Sequence, residues 1–480
     1  MSDVQPFYLA GKRASGADSF PVTNPYTGDL VARVSRPDAA QVDEAVAAAA
    51  VVSGPAARLP LSVRADALMH VSRRLAERQT EIAELITAEN GKPHKWAMAE
   101  AGRAVSVFRF AAEETRRFNG DVQRLDTDAA GSGRLAYVKR VPKGPVLGIA
   151  PFNFPLNLVA HKVAPAIAVG APIIIKPAPA TPLSALLLGE LLAETDLPDG
   201  MWSVLPVANE DMPGLVADSR LPVISFTGST TVGYQILDAV PRKHVTLELG
   251  GNAAAVVCDD FGSVEDLQWA ASRVATFANY QAGQSCISVQ RVLVDEALMG
   301  DFAPLLVAKV QELATGDPTD PATDVGPMVS EDAAVRVEQW VAEAVAGGAK
   351  VLTGGTRDGA TYAPTVLTDV AADARVSCEE VFGPVLVIQS VPDVDAAFSI
   401  VNDSRFGLQA GVFTRDLRTA FRAHAELEVG GVVIGDVPSY RADQMPYGGV
   451  KESGVGREGL RYAMDDYTDI RVMVLTGLEL

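Results

Sequence analysis

Apolar residues recur along this chain in two rhythms. Between about Val63 and Asn90 they fall at helical spacings, with Leu68, Val71, Leu75, Ile82 and Leu85 forming one stripe. Gly91-Lys92-Pro93 supplies a stop. A second helix is predicted from about His94 to Arg117. From Gly144 to Gly251 the rhythm changes. Short runs rich in β-branched residues alternate with helical stretches: GPVLGIA (144–150), APIIIK (171–176), MWSVLPV (201–207), LPVISFT (221–227) and HVTLELG (244–250). Such alternation predicts βαβ units, a parallel sheet wound with helices on both faces. Ligands of these sheets bind beyond the carboxyl ends of the strands. That rule singles out Asn153, Lys176, Thr227 to Ser229 and Glu248.

A second α/β region begins near Asn252. AAAVVCD (253–259) and QRVLVDE (290–296) read as strands, with helices near 297–314 and 331–347. GDPTDPATDVGP (316–327) is a turn-rich loop, and strands near 363–368, 384–391 and 408–413 follow. RLAYVKRV (134–141) and YTDIRVMVL (467–475) are predicted as extra strands outside both sheets. Arms of this kind often pair between subunits.

Composition narrows the function classes. The 480 residues are 48% hydrophobic and 21% charged, which excludes wholesale disorder and a collagen-like polymer. The net charge of −19 argues against nucleic acid and anionic membranes as partners. Cys258, Cys286 and Cys378 are too few for a disulfide framework, and no CxxC hints at zinc, so no metal is expected. The opening MSDVQPFYLAGKR has no basic-then-apolar pattern. The longest uncharged apolar run, Val163 to Ile175, is short of the roughly 20 residues needed to span a bilayer. The expectation is a soluble, reduced, cytoplasmic protein.

Cys286 lies in GQSCIS, among small polar residues, as a reachable nucleophile requires. The alternative is a small buried hydrophobe, the fate read for Cys258 inside its apolar run. A free thiol is mostly protonated at neutral pH and needs help. The five histidines lie in no motif that marks a cysteine–histidine pair. Glu248, in LELGGN, closes an apolar strand; burial would suit it as a general base, and the alternative is a turn cap. Asn153, in PFNFPLN, is placed either to donate to an oxyanion or to cap a helix. SFTGSTTVG (225–233) joins a strand to a helix N-terminus that could receive a phosphate, with Lys176 alongside. It is neither GxGxxG nor a Walker A loop.

Together and in this order, PFNFPL, IIIKPAPATP, SFTGSTTVG, LELGGN, GQSC, EEVFGPV and PYGGVKESGVGREG resemble the aldehyde dehydrogenase superfamily over nearly the whole chain. The resemblance implies a nucleophilic Cys286, an oxyanion held by the Asn153 amide and the Cys286 N–H, and hydride transfer to NAD or NADP. Glu248 would then activate water against the thioester. It also implies that Lys176 binds the adenosine ribose and Ser229, with Gly228, the pyrophosphate. Glu380 and Phe382 would hold the nicotinamide side, with Phe152 in the same cofactor wall. Many NAD-preferring members carry a glutamate three residues after the lysine. Pro179 stands there instead, so NADP should be tolerated.

The same matching implies an aldehyde tunnel of Phe154, Leu158, His161, Tyr280, Ser285, Ile287, Arg441 and Tyr447, with Arg103 in reach. SYRADQMPYGGV is similar to lactaldehyde and non-phosphorylating glyceraldehyde-3-phosphate dehydrogenases. The expected substrate is a small polar or anionic aldehyde anchored by Arg441. Alternatively, Arg441 pairs with a nearby acid and only shapes the tunnel. Rival readings are a coenzyme A-acylating dehydrogenase and a catalytically idle binding or structural protein on the same fold. The implied architecture is α/β. A Rossmann-type cofactor domain takes 1–120 and 144–250, and a second α/β catalytic domain takes 251–440. A small β arm, 121–143 with 465–480, would join subunits into a homodimer or homotetramer.

Overall fold

The computed structural model describes residues 4–479. Among these, the larger sheet has eight strands. Its centre is parallel, in the spatial order Trp202–Val204, Ile173–Lys176, Val146–Ile149, Val223–Thr227, His244–Glu248. These are the five runs read from the sequence, trimmed at their ends. Their β-branched residues are buried on both faces, as a helix-covered parallel sheet demands. Register brings Ile149 beside Lys176 and Thr227 beside Glu248, so the carboxyl ends form one row. Antiparallel strands close both edges. The hairpin Phe7–Leu9 with Lys12–Ala14 lies beyond Trp202–Val204, and Gly454–Val455 lies beside Glu248.

Helix Asn157–Val169 leaves the row at its centre. Every residue in it is buried, including the polar Asn157, His161 and Lys162. The region expected as one helix from Val63 to Asn90 is two, Leu61–Glu77 and Gln79–Asn90, broken at Arg78. A further helix, Ala39–Ala57, precedes them where none was expected. Its run of alanine gives no amphipathic stripe to read. The helix expected from His94 is His94–Thr115.

The second sheet has seven strands among the described residues. Their order is Lys350–Thr353, Thr365–Thr368, Val385–Val391, Arg291–Asp295, Ala254–Val257, Gln409–Phe413, Gly431–Ile434. All neighbours are parallel except the first pair. Helices Val264–Asn279 and Glu296–Gln311 pack on it around Phe261, Phe302 and Phe413. The two extra strands are Arg134–Pro142 and Thr468–Thr476. They pair antiparallel with each other within the chain, and Asp121–Arg124 completes that small sheet. Among the described residues no single helix is long and apolar enough to cross a membrane.

Candidate active site

The carboxyl ends of the first sheet face the loop that carries Cys286. That loop leaves helix Val264–Asn279 through Gln281, Ala282 and Gly283, all at positive φ. The first two are costly there, roughly 1–3 kcal/mol each for a non-glycine residue. Only glycine fits at 283, where a Cβ would lie 2.0 Å from the Gly383 carbonyl oxygen. Hydrogen bonds hold the loop down. Asn153 Nδ2 donates to the Gln284 carbonyl at 2.9 Å, the Val329 N–H donates to Gln284 Oε1 at 2.9 Å, and Ser439 Oγ donates to the Ile287 carbonyl at 2.6 Å.

Cys286 stands where two cavities meet. Both are lined by Leu158, Cys286, Arg441 and Tyr447. Burial, with the charges of Glu380 and Glu248, pushes the thiol up to about 12, against a hydrogen bond from Tyr447 and the charge of Arg441. The resting group is a thiol.

The first cavity, about 430 Å³, holds Phe152, Asn153, Glu248, Glu380 and Phe382. Glu248 is buried, and among the described residues neither of its oxygens has a hydrogen-bond partner. Burial, then the charge of Glu458, drives it well above its ordinary value, which favours the protonated form. The glycines of LELGGN answer to steric need. A Cβ at Gly250 would lie 2.4 Å from Glu380 Oε2, and one at Gly251 would lie 2.7 Å from the Cys286 carbonyl oxygen. Gly251 donates its N–H to Glu380 Oε1 at 2.9 Å, and burial raises Glu380 to about 7. Phe382 packs edge-on against Phe152 at 5.8 Å.

This cavity continues past Ala178, Thr227, Gly228 and Ser229 into a cleft of about 560 Å³. Ser229 caps helix Thr230–Ala239, so the amino end of that helix faces the cleft wall. Lys176 is buried, and among the described residues it has no carboxylate partner. Its ammonium reaches only the Asn209 side-chain oxygen, at 2.6 Å, and burial lowers it to about 8. A buried cation met only by an amide is suited to the hydroxyls or phosphates of a ligand. The groove as a whole fits a dinucleotide. Lys176 and Pro179 lie in one part, Glu380, Phe382 and Phe152 in the other, and Ser229 lies where the two join.

The other cavity, about 270 Å³, runs away from Cys286 on the opposite side of the shared residues. Phe154, Tyr280, Ser285, Ile287, Arg103, Leu158, Arg441 and Tyr447 line it. His161 does not. It is buried behind the wall with Nε2 3.1 Å from Asp443, and burial lowers it to about 4. Arg441 is already engaged: it donates to Glu458 at 3.2 Å and lies 3.8 Å above the Tyr447 ring. Of the two readings of Arg441, this is the paired one. Arg103 donates through Nε and Nη2 to Asp443 Oδ1, at 3.1 and 2.7 Å. Burial works to raise Asp443, but His161 and Arg103 outweigh it and hold the carboxyl down to about 2.

Sequence reasoning missed several wall residues, among them Trp96, Phe277, Arg273 and the buried pair Lys92–Glu100. Lys92 also donates to the Asn153 carbonyl at 2.9 Å. Glu100 Oε1 accepts from the N–H groups of Leu156 and Asn157, at 3.0 and 3.1 Å. This ion pair therefore pins the segment that carries Asn153. The Gly-Lys-Pro turn was read only as a stop, and nothing in it names a carboxylate partner. Glu458, in GVGREG, was missed as a site residue in the same way. It is buried and bonded to Lys162 at 3.0 Å.

The profile of the Aldehyde dehydrogenase family matches residues 12–473. A 3-sulfolactaldehyde dehydrogenase of Priestia aryabhattai is 41% identical over 471 residues, 98% of this chain and 97% of that protein. A crystal structure of aldehyde dehydrogenase 21 from Physcomitrella patens, in complex with the reaction product succinate, superposes with a TM-score of 0.97. Its identity is 43%, covering 100% of this chain and 99% of that one. An NADP-dependent glyceraldehyde-3-phosphate dehydrogenase from Bacillus halodurans, complexed with NADP, gives a TM-score of 0.95. Its identity is 33%, covering 99% of this chain and 100% of that one.

Proposed function

The chain belongs to the aldehyde dehydrogenase family, NAD(P)-dependent oxidoreductases, and from that premise we propose that it oxidises a small polar or anionic aldehyde at Cys286. The observation that carries this reading is the position of Cys286 on the seam between a dinucleotide-sized groove and a separate cavity with a cationic wall.

In the proposed mechanism the thiol gives up its proton to water and the sulfur attacks the aldehyde carbon. The carbonyl π electrons move to oxygen. The remaining N–H of the Asn153 amide and the Cys286 N–H hold the resulting oxyanion, worth roughly 2.7–4 kcal/mol for one such donor. A bound nicotinamide would supply the acceptor for the hydride lost from that carbon. Cys286 is left as a thioester. Glu248, once ionised, takes a proton from water as the water oxygen attacks the thioester carbon. The carbon–sulfur bond then breaks, and the acid leaves. Among the described residues neither Glu248 oxygen is spent on a protein partner, so each can accept from a water admitted to the cavity. That favours hydrolysis over acyl transfer to coenzyme A. Lys176, Ser229, Glu380 and Phe382 would hold the cofactor. With Pro179 in place of a carboxylate, nothing at that position repels the 2′-phosphate of NADP.

The substrate class rests on charge. Arg103, Arg273 and Arg441 face the small cavity. Their partners Asp443, Asp436 and Glu458 lie outside its wall. Glu100 also lines the cavity but is paired with Lys92, so a ligand there meets a wall with more cations than acids. The relatives named above act on 3-sulfolactaldehyde and glyceraldehyde 3-phosphate, which fits an anionic tail. Both arginines are paired, Arg103 with Asp443 and Arg441 with Glu458; Arg103 is the better anchor because its side chain is 30% exposed against 7% for Arg441. We also propose a homodimer or homotetramer built through the arm Thr468–Thr476, whose apolar side chains are exposed.

One panel tests this: neutral, hydroxylated, carboxylated, sulfonated and phosphorylated aldehydes with NAD and with NADP, with and without coenzyme A. Turnover should need Cys286, yield the free acid and favour the anionic aldehydes. Arg103→Ala should raise KM for the anionic aldehydes about tenfold or more and leave the neutral ones nearly unchanged. Equal loss for both classes would remove Arg103 as anchor. Turnover in Cys286→Ser would remove the mechanism.

A further inference from the structure

Among the described residues, one polar side chain lies within hydrogen-bond distance of Cys286. Tyr447 Oη is 3.0 Å from Sγ. Tyr447 is held in place from several directions. Its N–H donates to the Glu458 carbonyl at 3.0 Å, and its carbonyl accepts from the Glu458 N–H at 2.7 Å. Its ring lies beneath the Arg441 guanidinium and packs with Ile287 and Leu408. Arg441 is fixed by Glu458, and Glu458 by Lys162. The phenol cannot leave the sulfur without disturbing this chain of contacts.

The charged groups that face Cys286 are Glu380, from the loop after Arg375–Cys378, Glu248, from the strand end, and Arg441. The two carboxyls oppose a thiolate. Arg441 favours one, but it is committed to Glu458. The phenol keeps its proton, because burial and then the nearby sulfur and Glu248 outweigh Arg441. A phenol that stays protonated is a donor, and hydrogen bonds to an ionised acceptor are about twice as strong as neutral ones.

We propose that Tyr447 is a further catalytic residue: its hydroxyl donates to Cys286 Sγ, supports the thiolate before attack and receives it again when the thioester is cleaved. The thiol proton leaves to water, and the phenol retains its own. This rests on the reading of Cys286 as nucleophile, but its test does not need turnover.

The test is the pH profile of Cys286 alkylation by iodoacetamide, resolved by peptide mass, with Cys378 as internal reference. Tyr447→Phe keeps the ring under Arg441 and removes only the hydroxyl. The apparent pKa of Cys286 should rise by about one, and alkylation near pH 7.5 should fall about tenfold. The Cys378 rate should be unchanged. A 3-fluorotyrosine at position 447, a stronger donor, should act in the opposite direction and decides the matter if Tyr447→Phe melts early. An unchanged Cys286 profile in both variants overturns the proposal. So does faster alkylation of Tyr447→Phe, which would make the hydroxyl a restraint. Aldehyde turnover by Cys286→Ser would instead strike the reading on which the proposal rests, whatever the alkylation profiles.

Discussion

Glu248 illustrates how one side chain couples stability to chemistry. Its ordinary value is 4.5, and burial followed by Glu458 raises it well above that. Between those values the native protein keeps a proton that the unfolded chain has released. The contribution of Glu248 to stability therefore falls as pH rises through that window. Glutamine cannot ionise, and no hydrogen bond is lost with the carboxyl. Glu248→Gln is expected to melt above the parent at pH 8 and level with it near pH 4, by calorimetry. Its steady-state rate should fall about 10²- to 10⁴-fold, the usual worth of a general base. A pre-steady-state burst of reduced cofactor should survive, because the thiol step does not need Glu248. Loss of the burst would move Glu248 into the first half of the reaction.

At the scale of elements, helix Asn157–Val169 depends on a group outside itself. Its amino end has no side-chain cap of its own; Glu100 supplies one and is balanced by buried Lys92. Removing one partner of a buried pair costs about 3–5 kcal/mol. Glu100→Gln should lower the urea midpoint accordingly and reduce kcat, because the Asn153 segment loses its clamp. A normal kcat with lowered stability would separate the two roles. These contacts also mark the limit of what the sequence discloses. The five central strands were legible because fully buried parallel strands are written as uninterrupted β-branched runs. Glu248 comes to notice because it closes its strand two residues before Gly250, and Asn153 and Cys286 because they lie in the loops that follow a strand and a helix. Ala39–Ala57 was not, since alanine is buried there without alternating with polar residues. The break at Arg78 was not, because no glycine or proline marks it. The partners Asp443 and Glu458 were illegible for another reason. Asp443 meets Arg103 from 340 residues away and Glu458 meets Lys162 from 296, and a lone acid in a loop names no partner.

For the whole molecule, the strand Thr468–Thr476 is the outstanding surface. Ile470 is 61% exposed and Val472 54%, with Met473, Val474 and Leu475 beside them at 40–50%. An apolar edge of this length invites pairing with another chain. Val472→Lys places a charge at its centre. It is expected to shift the protein to a smaller species in light scattering, with the two larger sheets intact by circular dichroism. An unchanged mass would take this strand out of the assembly.

The two chambers that meet at Cys286 share four residues and otherwise have separate walls. That separation bears on ancestry as much as on catalysis. A duplicated gene that alters Trp96, Arg103, Phe277 or Tyr280 changes its diet and inherits its electron acceptor untouched. A change at Pro179 does the reverse. Food and redox currency are thus written in different parts of one lineage, and selection can edit either without erasing the other.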